Sequence, residues 1–304
     1  MATMTEVPEM TKTVTPTHTY HASAHVFHGH LERPIEQNIE PQAPISLNDR
    51  RGGHFTRFVE DVSVEGFISF TRGETRVSGA RSVKHNGWVT LSTSIVEGLN
   101  VFEVITADRM VSQVSTDHPP ENGHTPSVTF LGTRFENLQI GGFPVQVKLN
   151  LGICGGKPAG DASYFHDEKF LTSVRKQTNG IAKATGLPKE VKEQYDERLG
   201  YIDKLLDACR AGSTAVHEPI TCSLVEDIIG DIPIPGIQRF GHVLMIPHFG
   251  TVALGEIEVG ERMHEDSPRP NVYFEITGVD MNLGCIGHGQ AKGVIALANG
   301  HNHP

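Results

Sequence analysis

Through most of the chain, apolar and polar positions alternate or fall into short apolar blocks broken by Gly, Pro and Asn. Such blocks occupy residues 64–71, 88–93, 99–107, 127–131 and 143–149. In the last of these, Val145, Val147 and Leu149 alternate with Gln146 and Lys148, the period-2 signature of a half-buried strand. One stretch, 165–210, departs from the pattern and is dense in Lys, Glu, Asp and Gln. There Val191, Tyr195, Leu199, Ile202, Leu206 and Cys209 recur at spacings of 4, 4, 3, 4 and 3, which places them on one helix face. Pro188 stands where a first helical turn begins, a position that suits its fixed φ and missing N–H. A shorter helix is predicted over 166–178, ended by Asn179-Gly180. The segment reads as a helical hairpin inserted into a β body.

The strand pattern on either side of the hairpin carries signs of an internal repeat. Ser69 to Trp88 and Ser223 to His242 are offset by a constant 154 positions. Gly87-Trp88-Val89 then matches Gly241-His242-Val243. Downstream, Arg109 aligns with Arg262, Val128 with Val272, and 145–150 with 294–299. The four matches are colinear, and repeats of this kind change the reading of a whole fold. The expectation is a mainly β protein, barrel- or sandwich-like, built from two diverged repeats with an inserted α-helical hairpin. Closing or stacking the sheets in this way disposes of exposed strand edges. The divisions are a flexible N-terminal tail over 1–19, a first repeat over 20–151, a linker and hairpin over 152–215, and a second repeat over 216–304. All four are expected to form one compact domain.

Composition narrows the function classes. The 304 residues carry a formal charge of −10 with acidic and basic residues interspersed, which argues against nucleic acid as a partner. No apolar run approaches the roughly 20 residues that a membrane-spanning helix needs, so no membrane role is expected. The N-terminus lacks a basic region followed by an apolar stretch, and Cys154, Cys209, Cys222 and Cys285 show no paired spacing. Together these read as a cytoplasmic protein with reduced thiols.

Three runs bear a family likeness: 104–109 (Val-Ile-Thr-Ala-Asp-Arg), 115–119 (Ser-Thr-Asp-His-Pro) and 130–138 (Phe-Leu-Gly-Thr-Arg-Phe-Glu-Asn-Leu). With His-Ala-Ser-Ala-His at 21–25 and Gly-His-Leu-Glu-Arg-Pro at 29–34, the chain resembles a group of uncharacterised bacterial β-rich proteins. The resemblance implies a shared β fold and carries no activity.

Four constellations are candidates for chemistry. His28 and His30 share one face of an extended strand and are the candidate metal ligands, since imidazole suits Zn, Cu, Fe and Ni. The plainer reading is polar histidines on an edge strand. His248 lies eight residues before Glu256 in a cupin-like arrangement, but Gly250 replaces the second His that a cupin needs; a turn-capping role is the plainer alternative. The acidic–Arg–Met triplets at 108–110 and 261–263 place Arg109 and Arg262 at equivalent positions of the two repeats, where they could fork onto an anionic group, or simply pair locally. Asp117 and His118, near Arg134 and Glu136, supply carboxylate, imidazole and guanidinium for acid–base work, although no nucleophile elbow is present. Neither a phosphate-binding loop nor a dinucleotide fingerprint occurs, so no cofactor is identified.

The leading reading is therefore a small-molecule-binding β protein with an anionic ligand held by Arg109, Arg262, Arg134 and Glu136 in a barrel cavity. The alternative is an enzyme without an organic cofactor (cyclase, isomerase, lyase or hydrolase) using His118, Asp117 and His248. A structural or assembly protein, with the helices making homo-oligomer contacts, is a third reading.

Overall fold

The computed structural model describes residues 17–33, 36–83, 86–121, 123–212, 218–265, 267, 269–284 and 288–303. Most of the expected N-terminal tail, Cys285 and part of the post-helical linker lie outside them. The chain opens with β1 (Thr17–Arg33), β2 (Gln37–Ile39) and β3 (Ile45–Asp49). A meander of four long strands follows: β4 (Gly53–Val64), β5 (Ile68–Arg81), β6 (Trp88–Val101) and β7 (Ile105–His118). Five short ones come next: β8 (Ser127–Thr129), β9 (Arg134–Glu136), β10 (Gln139–Ile140), β11 (Phe143–Pro144) and β12 (Gln146–Leu149). The helical insert contains α1 (Glu168–Ala182) and α2 (Lys189–Ala211). Beyond it lie β13 (Ile220–Ser223), β14 (Val225–Ile229), β15 (Gln238–Phe240), β16 (Val243–Ile246), β17 (Gly250–Arg262), β18 (Asn271–Leu283) and β19 (His288–His303).

Two open sheets face each other, so the sandwich is the form taken. One runs β15-β16-β17-β18-β19-β1-β2, with β3 on β1 and β13 on β17; the other runs β11-β10-β7-β6-β5-β4, with β8 and β9 on β7. β1 is thus an interior strand of the sheet built mostly from the C-terminal half, paired with β19 on one side and with β2 and β3 on the other. The edge-strand reading of its histidines is corrected accordingly.

The proposed repeat anchors fall in unlike elements. Gly87 precedes the long β6, whereas Gly241 sits in the β15–β16 turn with φ 58°. Arg109 is inside β7 and Arg262 ends β17; Val128 lies in a three-residue strand and Val272 in a thirteen-residue one.

Two sequence blocks read as strands, 64–71 and 99–107, each enclose a hairpin turn between two strands. Glu65 and Gly66 (φ 50° and 75°) link β4 to β5, and Phe102 and Glu103 (φ 54° and 57°) link β6 to β7. Positive φ at both central residues matches the right-handed twist of the strands it joins. The second turn holds without Gly because Asn100 Oδ1 accepts from the Glu103 N–H at 2.8 Å and Phe102 packs 5.3 Å from Phe67.

Each sheet carries a crease where the strands exchange faces. In β1, Ala22, Ala24 and Val26 are buried, but so are Phe27 and Leu31, which simple alternation would put outside. Ladder pairing lapses for one residue in each strand, without a change of register, at Val26 and Val294, at Val294 and Gly278, and at Gly278 and Gly255. Gly255 and Val294 have φ of 61° and 60°. A Cβ on Gly278 would lie 3.0 Å from the Val294 Cβ, so this glycine makes room for the strained valine. Asp61 and Gly98, with φ of 52° and 63°, mark an equivalent row in the other sheet.

Both helices form where the periodicity placed them. Asp167 caps α1 by accepting from the Lys169 N–H at 2.9 Å, and α1 continues through Asn179-Gly180 because Ile181 and Ala182 bury against Val243 and Tyr195. Gly255→Ala is expected to cost about 1–3 kcal/mol through left-handed backbone strain. Gly200→Ala, on an exposed and unobstructed turn of α2, should instead add about 0.5–1 kcal/mol. Urea unfolding of the two variants checks the pair.

Candidate functional site

α2 reaches over the outer face of β17, β18 and β19 and leaves a cleft of about 320 Å³. Its wall is Val191, Gln194, Tyr195 and Arg198; its floor includes Glu256, Glu258, Glu275, Asp280 and Lys292. The floor is polar because strand alternation sends Ile257, Val259, Phe274 and Ile276 inward. The crease then brings Asp280 and Lys292 onto the same outer face from its far side.

Contacts in the cleft are close. The Arg198 guanidinium donates to Glu256 Oε1 at 3.0 Å and lies 5.0 Å over the Tyr195 ring. The Tyr195 hydroxyl meets His242 Nε2 at 3.1 Å, and that nitrogen is 3.8 Å from Glu256 Oε1. Lys292 pairs with Asp280 at 2.9 Å, and the Tyr273 hydroxyl donates to Glu258 at 2.6 Å.

The carboxyl groups are driven in opposite directions. Burial alone would raise the pKa of Glu256, but His242 and the Arg198 charge overcome it and bring it down to about 2. Glu275 is raised by burial and by Glu258, and Asp280 is raised by burial despite Lys292. The site thus holds one carboxylate firmly ionised beside two that take a proton more readily, the pattern by which neighbouring acids acquire distinct roles.

The residues singled out from the sequence are dispersed. His118 is fully buried inside the sandwich, 4.8 Å from the His18 ring, and burial followed by His18 holds its pKa well below the usual range. Asp117, its neighbour on β7, is on the opposite face by strand alternation. His248 is exposed in the β16–β17 turn at φ 65°. Arg109 pairs with Glu97 on the adjacent strand at 3.4 Å, while Arg262 lies 5.1 Å over Tyr273; they are in different sheets. Arg134 pairs with Glu136 on exposed β9 at 2.5 Å. None of these lines the cleft. His28 and His30 are on one face as expected, but the crease puts His25 there too: His25 Nε2 and His28 Nδ1 are 2.7 Å apart. Burial, then the His28 charge, lowers His25 to about 4. His30 is exposed.

Sequence reasoning missed Arg198, Glu258, Glu275, Asp280 and Lys292. Acidic residues alternating with apolar ones in 256–259 and 274–276 were visible, but they read equally as a solvated strand face. The signal that distinguishes the two is the apolar face of α2, which needs a surface to cover.

A family model described as a domain of unknown function (DUF8256) matches residues 18–260, and the chain belongs to that family. No curated protein and no solved structure matches the chain. Among the described residues, no helix is long and apolar enough to cross a membrane.

Glu256→Gln is expected to cost about 1–3 kcal/mol at pH 7, because it leaves the partly buried Arg198 without its counter-charge. In the native protein the folded Glu256 pKa (about 2) lies below its unfolded value. Its contribution is therefore present above the unfolded carboxyl pKa and lost as pH falls towards 2. His18 and His25, each lowered to about 4, act at higher pH, and their contribution is lost as pH falls from the ordinary imidazole range to about 4. Acid titration of unfolding free energy should show both stages in the native protein and only the upper one in the variant.

Proposed function

We propose that this member of the family binds a small polar ligand in the cleft beneath α2. The observation that supports it best is the convergence of four carboxylates and two basic groups from one helix and three strands on a single recess. Concave sites with a few converging polar groups of shifted pKa are the usual seat of small-molecule recognition. The interior of the sandwich does not compete for this role. Among the described residues, its central part is filled by Val26, Phe27, Met110, Val279 and Val294, which favours the outer cleft over the barrel interior.

The sign of the charge alters the expected ligand. Glu256 and Asp280 are matched by Arg198 and Lys292, which leaves Glu258 and Glu275 as the excess. An amine, a guanidinium compound or a hydroxyl-rich molecule suits that surplus better than the anion for which Arg109 and Arg262 were candidates. Tyr195 adds an aromatic wall, and a cation over an aromatic face gains about 0.5–2 kcal/mol.

The enzymatic reading stands second, favoured by the split between ionised Glu256 and the raised Glu275 and Asp280. A pair set apart in this way supplies a base and an acid at one pH. No assigned nucleophile is needed for an isomerase or lyase of that type.

Native mass spectrometry of the purified chain should detect a co-purifying small cation or polyol. In a thermal-shift series, diamines and sugars should raise the melting temperature and dicarboxylates should leave it unchanged; Glu275→Gln should remove the response. Stabilisation by dicarboxylates that survives Glu275→Gln would sink the proposal. Turnover lost in Glu275→Gln or Asp280→Asn with ligand affinity retained would move the assignment to the enzymatic reading.

A further inference from the structure

We propose that His21, His264 and His301 form a site for a borderline divalent transition-metal ion, zinc being the best match. His21 is on β1 and His301 on β19, where the register sets Thr19 against His301 and His21 against Asn299. The two imidazoles therefore share the outer face on a diagonal, with His21 Nε2 and His301 Nδ1 2.9 Å apart. His264 comes from the connection after β17 and stacks on both, with centroids 4.3 Å from His21 and 4.9 Å from His301. One potential ligand atom from each residue lies within 4.8 Å of the other two. Zinc–nitrogen bonds of about 2.0–2.1 Å in tetrahedral geometry set ligand nitrogens roughly 3.3 Å apart. That value lies between the 2.9 Å of the His21–His301 pair and the 4.8 Å bound on all three; the rings, stacked within about 15° of parallel, rotate to point their lone pairs at one ion.

The donor set selects the metal class. Among the described residues the donor set is three imidazoles, which suit zinc, copper or nickel rather than magnesium and calcium, ions that demand oxygen ligands. His301 is buried while His21 and His264 are partly exposed, so the recess is open to an entering ion. His303 flanks it, its ring 4.5 Å from His301 and its Nε2 2.7 Å from Thr19 Oγ1. It supplies a fourth ligand or leaves that position to water. The bound ion would tie together the first strand, the last strand and the β17–β18 connection. That placement is independent of the α2 cleft and of the His25–His28 pair.

The test is calorimetric titration of the tag-free full chain, stripped by chelation, with zinc chloride and separately with magnesium chloride. One equivalent of zinc should bind and magnesium should not. His264→Ala and His301→Ala should each weaken zinc binding by more than about tenfold, a loss already reached when only a supporting residue is removed, while His28→Ala should leave it unchanged. Circular dichroism establishes that each variant is folded, and His264→Gln repeats the measurement with a less drastic change. X-ray absorption of the zinc complex should show at least three nitrogen ligands near 2.0–2.1 Å. Failure to bind one equivalent, affinity retained in both His264 variants, or affinity lost in His28→Ala would each overturn the assignment.

Discussion

The crease through Gly255, Gly278, Val294 and Val26 is the constraint on which the rest of the molecule hangs. A strand of twelve or more residues that alternated faithfully could not bury its apolar residues at both ends of this chain's pattern, because the pattern changes phase midway. Positive φ at Gly255 and Val294 absorbs that change in two neighbouring registers, and β18 and β1 follow without inserting a residue. The backbone cost is of order 1–2 kcal/mol for the β-branched valine. It is offset by burial of Phe27, Leu31, Met281 and Leu283 on one side and Ile257, Phe274 and Ile276 on the other. Fully burying one such side chain contributes about 1.5–3 kcal/mol, so the crease is favourable with room to spare.

The same exchange of faces arranges the outer surface. Positions three apart across the row point the same way: Ala253 with Glu256, Thr277 with Asp280, His25 with His28. In a regular strand those pairs would lie on opposite faces. Polar groups thereby gather along the outside of the crease. His25 and His28 touch each other at one end of it, Asp280 pairs with Lys292 in the middle, and Glu256 meets Arg198 under the helix. A partly buried ion pair of this kind adds little net stability by itself, since desolvation consumes most of the attraction. Its consequence is positional: it fixes the height and rotation of α2 over the sheet.

The helical hairpin, the β class and the cadence of the strands were legible in the sequence because each rests on local periodicity. Tyr195, Ile202 and Leu206 were assigned to one buried face, and they are buried. The crease was not legible. Val26–Phe27 reads as one alternating strand, and nothing local shows that a valine 268 residues later adopts positive φ opposite a glycine. That omission separated His25 from His28 in the sequence reading. The hairpin turn at Phe102-Glu103 was hidden for a related reason: it is stabilised by Phe67 and Asn100, not by the Gly or Asn that usually announces such a turn. The Asp117–His118 dyad illustrates the opposite error, in which neighbours in sequence are sent to opposite faces by strand geometry.

The two sheets approach each other closely where β1 crosses β5 and β6. Gly73 and Gly79 of β5 accept Val26 and Tyr20 of β1 at distances that any added Cβ would violate. Ser92 and Ser94 donate directly to the carbonyls of Ser23 and His25 across the sheets, at 2.7 and 2.9 Å. Backbones that approach to side-chain hydroxyl reach are closely packed at these crossings. An exposed sheet face, however, is a poor site, because water screens each charge on it. α2 supplies what the sheet lacks: Tyr195 and Arg198 cover the carboxylates, withdraw them from solvent and separate their pKa values. On this argument the insert is the element that turns an ordinary strand face into a recess with chemistry in it. In the binding reading proposed above, the floor residues on β17 to β19 and the Tyr195–Arg198 turn of α2 are parts of one site.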